Sequence, residues 1–306
     1  MKYEKYKAKV DLLLQILPYI SREEIFALKG GTAINLFIRD MPRLSVDIDL
    51  TYIRFDHREE ALQKIQDGLG RIRTVIEKHI KGLKVSAVPL TEGADVKLNC
   101  QYPGAQIKIE VNTITRGHVL PVRSMPVLES VQKVFGKFAA MNIVSFGELY
   151  GGKICAALDR QHPRDLFDVK LLMENEGITE ETWDAFLIFL LSHYKPIHEL
   201  LSPVLKDQQS AFENQFAGMT KIEFLYADFI DTRKNLVEEI GARISESNKQ
   251  FLHTFASGDP DWTLMPYEAV KDLPAIQWKL KNIKKLKKDI PSKYGKMIGL
   301  LEDVLK

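Results

Sequence analysis

The sequence predicts an α+β protein in which a sheet domain comes first and a helical domain follows. Residues 43–52 and 107–111 alternate polar and apolar side chains with the period of two that is typical of a strand. Beyond about residue 176 this alternation disappears, and apolar residues recur at helical spacing. We therefore predict a sheet domain at 1–176 and a helical domain at 177–306.

Helices and strands are expected in turn along the first domain. Residues 5–27 have helical spacing, and a second helix start is expected at Ser21 because Glu24 completes a capping box. Gly30 and Gly31 then predict a turn that enters a short helix. The other predictions are strands at 43–52, 96–100 and 107–111, helices at 57–81, 146–158 and 166–174, and a connector without assigned structure at 125–144.

The composition is that of a globular protein. Of 306 residues, 45% are hydrophobic and 27% charged, and the formal net charge of +2 is too small to indicate nucleic-acid binding. Two cysteines, Cys100 and Cys155, cannot form a disulfide scaffold or a multi-cysteine zinc site, so we expect a reducing, cytoplasmic location. No apolar run reaches the roughly 18 residues of a membrane span, and we expect no membrane partner.

Two acidic residues on one predicted strand are the first candidates for chemistry. Asp47 and Asp49 are one residue apart, so both carboxylates project from the same face, while Ile48 turns toward the core. Neighbouring carboxylates repel each other unless a cation lies between them, and such oxygen ligands suit Mg²⁺ (or Mn²⁺) bound jointly with phosphates. The alternative is a solvated strand that carries alternating acids.

A glycine turn precedes these acids. Gly30, Gly31 and Thr32 lie at the start of a predicted short helix. Glycines let the backbone approach a phosphate closely, and the amides of a helix amino terminus attract an anion. A plain tight turn is the alternative, but a phosphate turn followed by paired acids combines both halves of a nucleoside-triphosphate site.

A lysine and two aspartates form a second candidate group. Lys153 lies within an otherwise apolar helix, where a lysine on the buried side needs a charged partner; a surface lysine is the alternative. Asp165 suits a structural role at a helix amino terminus, or pairing with Arg160 or Arg164. Asp168, one turn later, is better placed to face a site.

Two separated segments resemble one known family. LKGGTAINLF (28–37) with RLSVDIDL (43–50) resembles the first signature of the AbiEii/AbiGii abortive-infection toxins, members of the polymerase-beta-like nucleotidyltransferase superfamily. GELYGGKICAALDR (147–160) with PRDLFDV (163–169) resembles the lysine-bearing helix and the R-D-x-x-D segment of that family. The resemblance covers roughly residues 25–175.

The resemblance implies a fold and a set of residue roles. The fold is a polymerase-beta-like nucleotidyltransferase domain, with a small mixed sheet flanked by helices, followed by a carboxyl-terminal helical domain. The implied roles are a triphosphate cradle for Gly30, Gly31 and Thr32, magnesium ligation for Asp47 and Asp49, a contact with the nucleotide phosphates for Lys153, and an essential acid for Asp168.

Three further residues are implied to belong to the site. Arg43 and Ser45 occupy the R-x-S positions of the family, where the planar guanidinium could pair with a phosphate. Glu110 alternates onto a polar strand face and could supply a third carboxylate to the metal. A solvated strand residue is the alternative for Glu110.

The implied activity is in-line transfer of a nucleoside monophosphate from a triphosphate to an acceptor hydroxyl. The resemblance implies a growth-inhibiting toxin of a toxin–antitoxin system that acts on RNA, such as the 3′ end of tRNA. It also implies a cognate antitoxin, which need not form a tight complex. Two alternatives stay open: a module that binds a nucleoside triphosphate without turnover, and a small-molecule nucleotidyltransferase of the antibiotic-modifying kind.

A run of lysines near the carboxyl end is the one dense positive segment. It would suit an RNA phosphate backbone, and the alternative is a solvated helix face. The run consists of Lys279, Lys281, Lys284, Lys285, Lys287 and Lys288.

No histidine pair has the H-E-x-x-H spacing and no serine lies in a nucleophile elbow, so zinc-enzyme and serine-hydrolase functions lose support.

Overall fold

The chain folds into two compact units. The computed structural model describes residues 2–88 and 96–306. Unit 1 comprises Met1–Ser145 and Ala217–Glu223, and unit 2 comprises Phe146–Phe216 and Phe224–Lys306. The boundary that the sequence places near residue 176 therefore lies inside unit 2.

The position of this boundary has a physical reason. A helix that begins at Phe146 packs closely on a later one: a Cβ atom added at Gly147 would lie 2.7 Å from the main-chain oxygen of Glu181, and one at Gly151 would lie 2.6 Å from the nitrogen of Phe186. The helices before residue 176 thus belong with the helices after it. The alternation typical of strands ends near residue 176, but the compact helical unit already begins at Phe146.

Unit 1 is built on a sheet with helices against it. Its described elements are α1 (Lys2–Ile20), β1 (Phe26–Lys29), α2 (Gly30–Ala33) continued by a π-helical turn (Ile34–Ile38), β2 (Asp47–Tyr52), α3 (Arg58–His79), β3 (Lys84–Val88), β4 (Val96–Tyr102), β5 (Ala105–Asn112), β6 (Arg123–Pro126), α4 (Glu129–Phe135) and β7 (Ala140–Ile143).

The sheet is mixed, as predicted. Its seven described strands are ordered β3-β4-β5-β2-β1-β7-β6. The pairs β2–β5 and β1–β7 are parallel, and the other neighbours are antiparallel. The sheet is larger than the three predicted strands, because β1 and β3 were not predicted and the connector at 125–144 contributes β7 and the end of β6.

Strands β2, β4 and β5 have one apolar and one more polar face. Ile48, Leu50, Leu98 and Ile109 are at most 1% exposed, and burying each such side chain contributes about 1.5–3 kcal/mol. Helices α1 and α3 pack on the sheet. The alternation thus predicted correctly that Ile48, Leu50 and Ile109 are buried. It did not predict the burial of Arg43 and Thr51, which are 3% and 5% exposed, and the strand begins at Asp47 and not at Arg43.

The beginning of the chain differs from the prediction. Helix α1 ends at Ile20, and Ser21 forms a turn in which its Oγ donates to the main-chain oxygen of Pro18 at 3.0 Å. The helix start expected at Ser21 is therefore wrong. Residues 26–28 then enter β1, where they are fully buried on both faces and so show no alternation.

Unit 2 is helical. None of the helices in the described ranges is long and apolar enough to cross a membrane. Its elements are α5 (Phe146–Arg160), α6 (Pro163–Glu174), α7 (Glu180–Ser192), α8 (Ile197–Leu201), α9 (Gln209–Gln215), α10 (Tyr226–Arg243), α11 (Glu246–Ser257), two 3₁₀ turns (Trp262–Leu264 and Glu268–Asp272), α12 (Pro274–Asp289) and α13 (Pro291–Val304).

Candidate active site

The glycine turn lies directly against one of the paired acids. Lys29 ends β1 in an extended conformation, and Gly30 has a φ of +73°, which favours glycine. A Cβ atom at Gly30 would lie 2.5 Å from Oδ2 of Asp49, and one at Gly31 would lie 2.6 Å from Nη2 of Arg43. Gly30 therefore requires glycine by its backbone conformation and by its contact with Asp49, whereas a side chain at Gly31 would have to displace the guanidinium of Arg43.

Buried polar groups hold this turn in place. The side chain of Thr32 is fully buried, and its Oγ1 lies 3.1 Å from Oγ of Ser45 and donates to the main-chain oxygen of Asp47. Asn35 donates from Nδ2 to the main-chain oxygen of Gly31 at 2.8 Å. The turn and the start of β2 are thus fastened together by hydrogen bonds that water cannot easily replace.

Arg43 is part of the same buried network. It is 3% exposed; its main-chain nitrogen donates to Oδ1 of Asn35 at 3.3 Å and its Nη1 to the oxygen of Leu44 at 3.2 Å. Residue 43 also pairs with Thr220, in the segment that returns to unit 1. This placement gives Arg43 a role in supporting the glycine turn, and its phosphate contact stays a prediction.

A row of four charged side chains crosses the sheet at Asp49. In the strand register Asp49 pairs with Lys29 on one side and with Glu110 on the other, and Glu110 pairs with Lys97. Residues paired in this way point to the same face. Nζ of Lys97 lies 3.2 Å from Oε1 of Glu110. Two adjacent carboxylates are therefore flanked by one lysine on each side.

The paired acids fit a cation that is shared with a nucleotide. Asp47 and Asp49 are half-buried and project from the same face of β2, as predicted. Within residues 2–88 and 96–306, no group of three or more His, Cys, Asp or Glu is arranged to hold a metal ion. Mg²⁺, however, is commonly bound by one or two carboxylates together with substrate phosphates. The donor set of Asp47 and Asp49 is of that kind.

The second group of candidates forms a buried ion cluster in unit 2. Lys153 is 8% exposed, and its Nζ lies 2.8 Å from Oδ1 of Asp165 and 3.2 Å from Oδ2 of Asp168. Arg160 donates from Nη2 to Oδ1 of Asp165 at 3.0 Å. The alternative of a surface lysine is excluded, and the charged partner that a buried lysine needs is present.

The cluster sets the protonation of one carboxyl. Burial alone would raise the pKa of Asp165, but the charge of Lys153 and then the hydrogen bond from Arg160 outweigh it, and the pKa lies well below its usual range. Asp165 is therefore ionised at neutral pH and holds Lys153 in place. This agrees with the structural role expected of Asp165.

The predicted residues thus fall into two groups, one in each unit. Sequence reasoning missed Asn35, Lys29 and Lys97, which surround the acids and the turn. For Asn35 a signal exists, since it is the one polar residue in the apolar run 33–37. The lysines could be found only from the strand register. Unit 1 gathers Gly30, Gly31, Thr32, Arg43, Ser45, Asp47, Asp49 and Glu110, and unit 2 gathers Lys153 and Asp168.

The lysine run is not a uniform surface. Lys279 is 8% exposed and donates from Nζ to the main-chain oxygens of Leu190 at 3.1 Å and Lys195 at 2.9 Å. Burial lowers the pKa of Lys279 to about 8. Lys279 therefore attaches α12 to the end of α7, whereas the other lysines of the run are exposed.

Comparisons with known proteins give one family match and a similar solved structure. The family model "Nucleotidyl transferase AbiEii toxin, Type IV TA system" matches residues 11–282. The fold is similar to that of MenT4, a nucleotidyltransferase toxin from Mycobacterium tuberculosis H37Rv, with a TM-score of 0.58 and 12% identity over 97% of this chain and 93% of that chain. A sequence search among curated proteins found no match.

Proposed function

Because the chain belongs to the AbiEii family of nucleotidyltransferase toxins of type IV toxin–antitoxin systems, we propose that it transfers a nucleoside monophosphate to RNA in a metal-dependent reaction. Family membership itself makes the chain a nucleotidyltransferase with a nucleotide substrate and a cognate antitoxin. The metal, the RNA acceptor and the residues that act are the proposed part.

The observation that carries the proposal is the contact between the glycine turn and the paired acids. Gly30 leaves no room for a side chain beside Asp49, so a triphosphate held by the turn would meet the carboxylates directly. Gly31 and Thr32 complete the cradle, since Thr32 fixes the start of β2 through Asp47. A glycine turn alone or a pair of acids alone would not support a nucleotide site.

Asp47 and Asp49 would hold the divalent cation, Mg²⁺ or Mn²⁺. When bound, this ion neutralises charge on the phosphates and on the pyrophosphate that leaves. Glu110 would join as a third ligand by exchanging its contact with Lys97 for the cation. Lys29, paired with Asp49 in the register, adds positive charge beside the phosphates.

The chemical step is a displacement at the α-phosphorus. The acceptor hydroxyl oxygen bonds to phosphorus, the bond to the bridging oxygen breaks, pyrophosphate leaves, and the hydroxyl proton passes to solvent. The residues of unit 1 accelerate it by position and charge: the turn orients the triphosphate, and Ser45 and Arg43 keep the turn in place. No covalent intermediate with the protein is needed.

Lys153 and Asp168 take their proposed roles from the family resemblance. Lys153 would offset charge on the nucleotide phosphates, and Asp168 would act as the essential acid. Their buried contact of 3.2 Å supports a joint role, since each fixes the other in one orientation. Asp165, which also binds Lys153, would position the ammonium group and have no contact with the nucleotide.

An RNA acceptor, such as the 3′ end of tRNA, is supported by the exposed lysines of α12. These are Lys281, Lys284, Lys285, Lys287 and Lys288. Phosphate groups bind such a surface with release of counterions.

An enzyme that consumes nucleoside triphosphates and modifies tRNA would act in the cytoplasm. Growth inhibition would then serve phage defence by abortive infection, and the antitoxin would restore growth without needing to form a stable complex.

The test is incubation of the purified chain with total cellular RNA and each of the four α-labelled nucleoside triphosphates, with Mg²⁺, Mn²⁺ or a chelator. Label in an RNA band with one nucleotide, lost with the chelator, is the expected result. Label in a small-molecule fraction, or nucleotide binding without transfer to any RNA, would contradict the proposed acceptor and favour one of the two alternatives.

A further inference from the structure

One face of α12 combines an exposed indole with lysines. Trp278, Lys281, Lys285 and Lys288 follow one another at intervals of three or four residues, which places them in one stripe along the helix. Trp278 is 59% exposed. The opposite face of the helix, with residues such as Ile276, is buried in unit 2. We call these four residues the α12 stripe.

The lysines of the stripe lack the ion pairs that several lysines on other helices form. On other helices, Lys64, Lys133 and Lys170 each form an ion pair with a glutamate one turn away. Among the described residues, the three lysines of the stripe form no ion pair, and Asp289 is the one acid of α12. The helix therefore carries five exposed lysines and a single acid, and this excess of positive charge favours an external polyanion.

The indole gives the stripe a second property. Nζ of Lys281 lies 5.6 Å from the ring centroid of Trp278. Exposed aromatic rings beside cations bind nucleic acids by stacking on bases that are not already stacked in a duplex. A surface that bound only phosphates would not need an exposed tryptophan.

We propose that the α12 stripe binds an unpaired segment of RNA, with a base stacked on Trp278 and phosphates at Lys281, Lys285 and Lys288. The stripe extends over eleven residues of helix, from Trp278 to Lys288, and is roughly 15 Å long, which suits a few nucleotides and not a long duplex. This inference rests on the proposed RNA acceptor and names the part of it that unit 2 recognises.

The test measures binding of a short, unstructured, fluorescein-labelled RNA by anisotropy, without nucleoside triphosphate. Trp278→Ala should weaken binding about tenfold, and Trp278→Phe should retain most of it, because stacking needs an aromatic ring. The triple variant Lys281→Gln/Lys285→Gln/Lys288→Gln should reduce the slope of log K against log salt by about 2, since each lost phosphate contact removes about 0.7.

Matched controls separate the stripe from general charge and from exposed aromatic surface. Lys78, Lys81 and Lys84 are exposed lysines of unit 1, and changing all three to Gln alters net charge equally. Phe138 is 65% exposed, and Phe138→Ala removes an aromatic ring elsewhere. Both controls should bind the RNA as the unchanged protein does. The same RNA annealed to its complement should bind more weakly.

Several results would overturn the inference: unchanged binding by Trp278→Ala, an unchanged salt slope in the triple variant, or equal displacement of the RNA by a polyglutamate peptide, which would indicate an acidic protein partner. Failure of the proposed function is separate. If the unchanged protein binds this RNA through the stripe yet transfers no nucleotide to any RNA, the stripe stands and the acceptor assignment fails.

Discussion

Gly30 and Asp49 are in direct contact, and the space for a Cβ atom at Gly30 is occupied by the carboxylate of Asp49. Such a Cβ atom would lie only 2.5 Å from Oδ2 of that carboxylate. The backbone of Gly30 is also in the left-handed region, with a φ of +73°. The conformation of this one glycine therefore fixes where an acid of the candidate active site can lie.

Gly30→Ala should abolish most activity while the protein stays folded. The new methyl group would push the Asp49 carboxylate aside, and a displacement of about 1 Å in such a site costs about 100-fold in rate. Gly104→Ala is the matched control, because Gly104 has a φ of +80° and nothing within 4 Å of the added Cβ. Both variants should lose about 1–3 kcal/mol of stability, but label transfer should fall only in the first.

Lys97→Met should lower the metal concentration needed for half-maximal transfer by a few-fold. Lys97 contacts Glu110, so a cation that uses Glu110 as a ligand must first displace the ammonium group. Titration of activity and of direct Mn²⁺ binding would measure the effect, with Lys84→Met on β3 as the control. An unchanged midpoint would mean that Glu110 does not bind the metal.

The sequence was sufficient to predict the face on which Asp47 and Asp49 lie. Alternation with a period of two depends only on local geometry, so the pattern around Ile48 identified strand and face together. The neighbours of Asp49 could not be predicted in this way. Lys29 and Glu110 are distant in the chain, and only the register of β1, β2 and β5 brings them beside it.

Lys153→Met should destabilise the protein by about 3–5 kcal/mol, because removal of one partner leaves buried carboxylates without a counter-charge. Lys170→Met, on the next helix, α6, is the control. Lys170 forms an exposed pair with Glu174, and loss of that pair should cost under about 0.5 kcal/mol. Urea unfolding of the two variants would measure the difference. Equal stability of both would contradict the buried ion cluster.

At acid pH, the free energy of unfolding should depend on the ionisation of Asp165. Its pKa is lower in the folded than in the unfolded state, so its contribution is present above the ordinary carboxyl pKa of about 4 and is lost as the pH falls below it. In Asp165→Asn this acid-induced loss should be smaller. Unfolding free energies from pH 7 to pH 3 would measure it, and parallel profiles of the two proteins would contradict the assignment.

Lys279 should affect stability on the alkaline side, where the free energy of unfolding should again rise with pH. Its pKa is about 8 in the folded state, against 10.5 in its ordinary state, so the unfolded chain binds more protons between these values. Stability relative to Lys279→Met should therefore rise from about pH 8 to pH 10.5, by at most roughly 1 kcal/mol per pH unit. A constant difference between the two proteins would indicate an exposed lysine.

Lys279 also marks a limit of sequence reasoning. In the run 279–288 the lysines are chemically alike, and helical spacing alone leaves open which of them faces the protein. The structure distinguishes Lys279, because its ammonium group meets main-chain oxygens at the end of α7. The four-residue strand β1 was missed for a related reason, since residues buried on both faces show no periodicity.

The central claim is that Asp49 takes part in nucleotidyl transfer beside the glycine turn. The most direct measurement is transfer of label from an α-labelled nucleoside triphosphate by Asp49→Asn, which keeps the size of the side chain and removes its charge. Asp67→Asn, at an exposed position on α3, is the control. We expect a loss of about 100- to 1,000-fold for Asp49→Asn alone, and transfer at the unchanged rate would contradict the account.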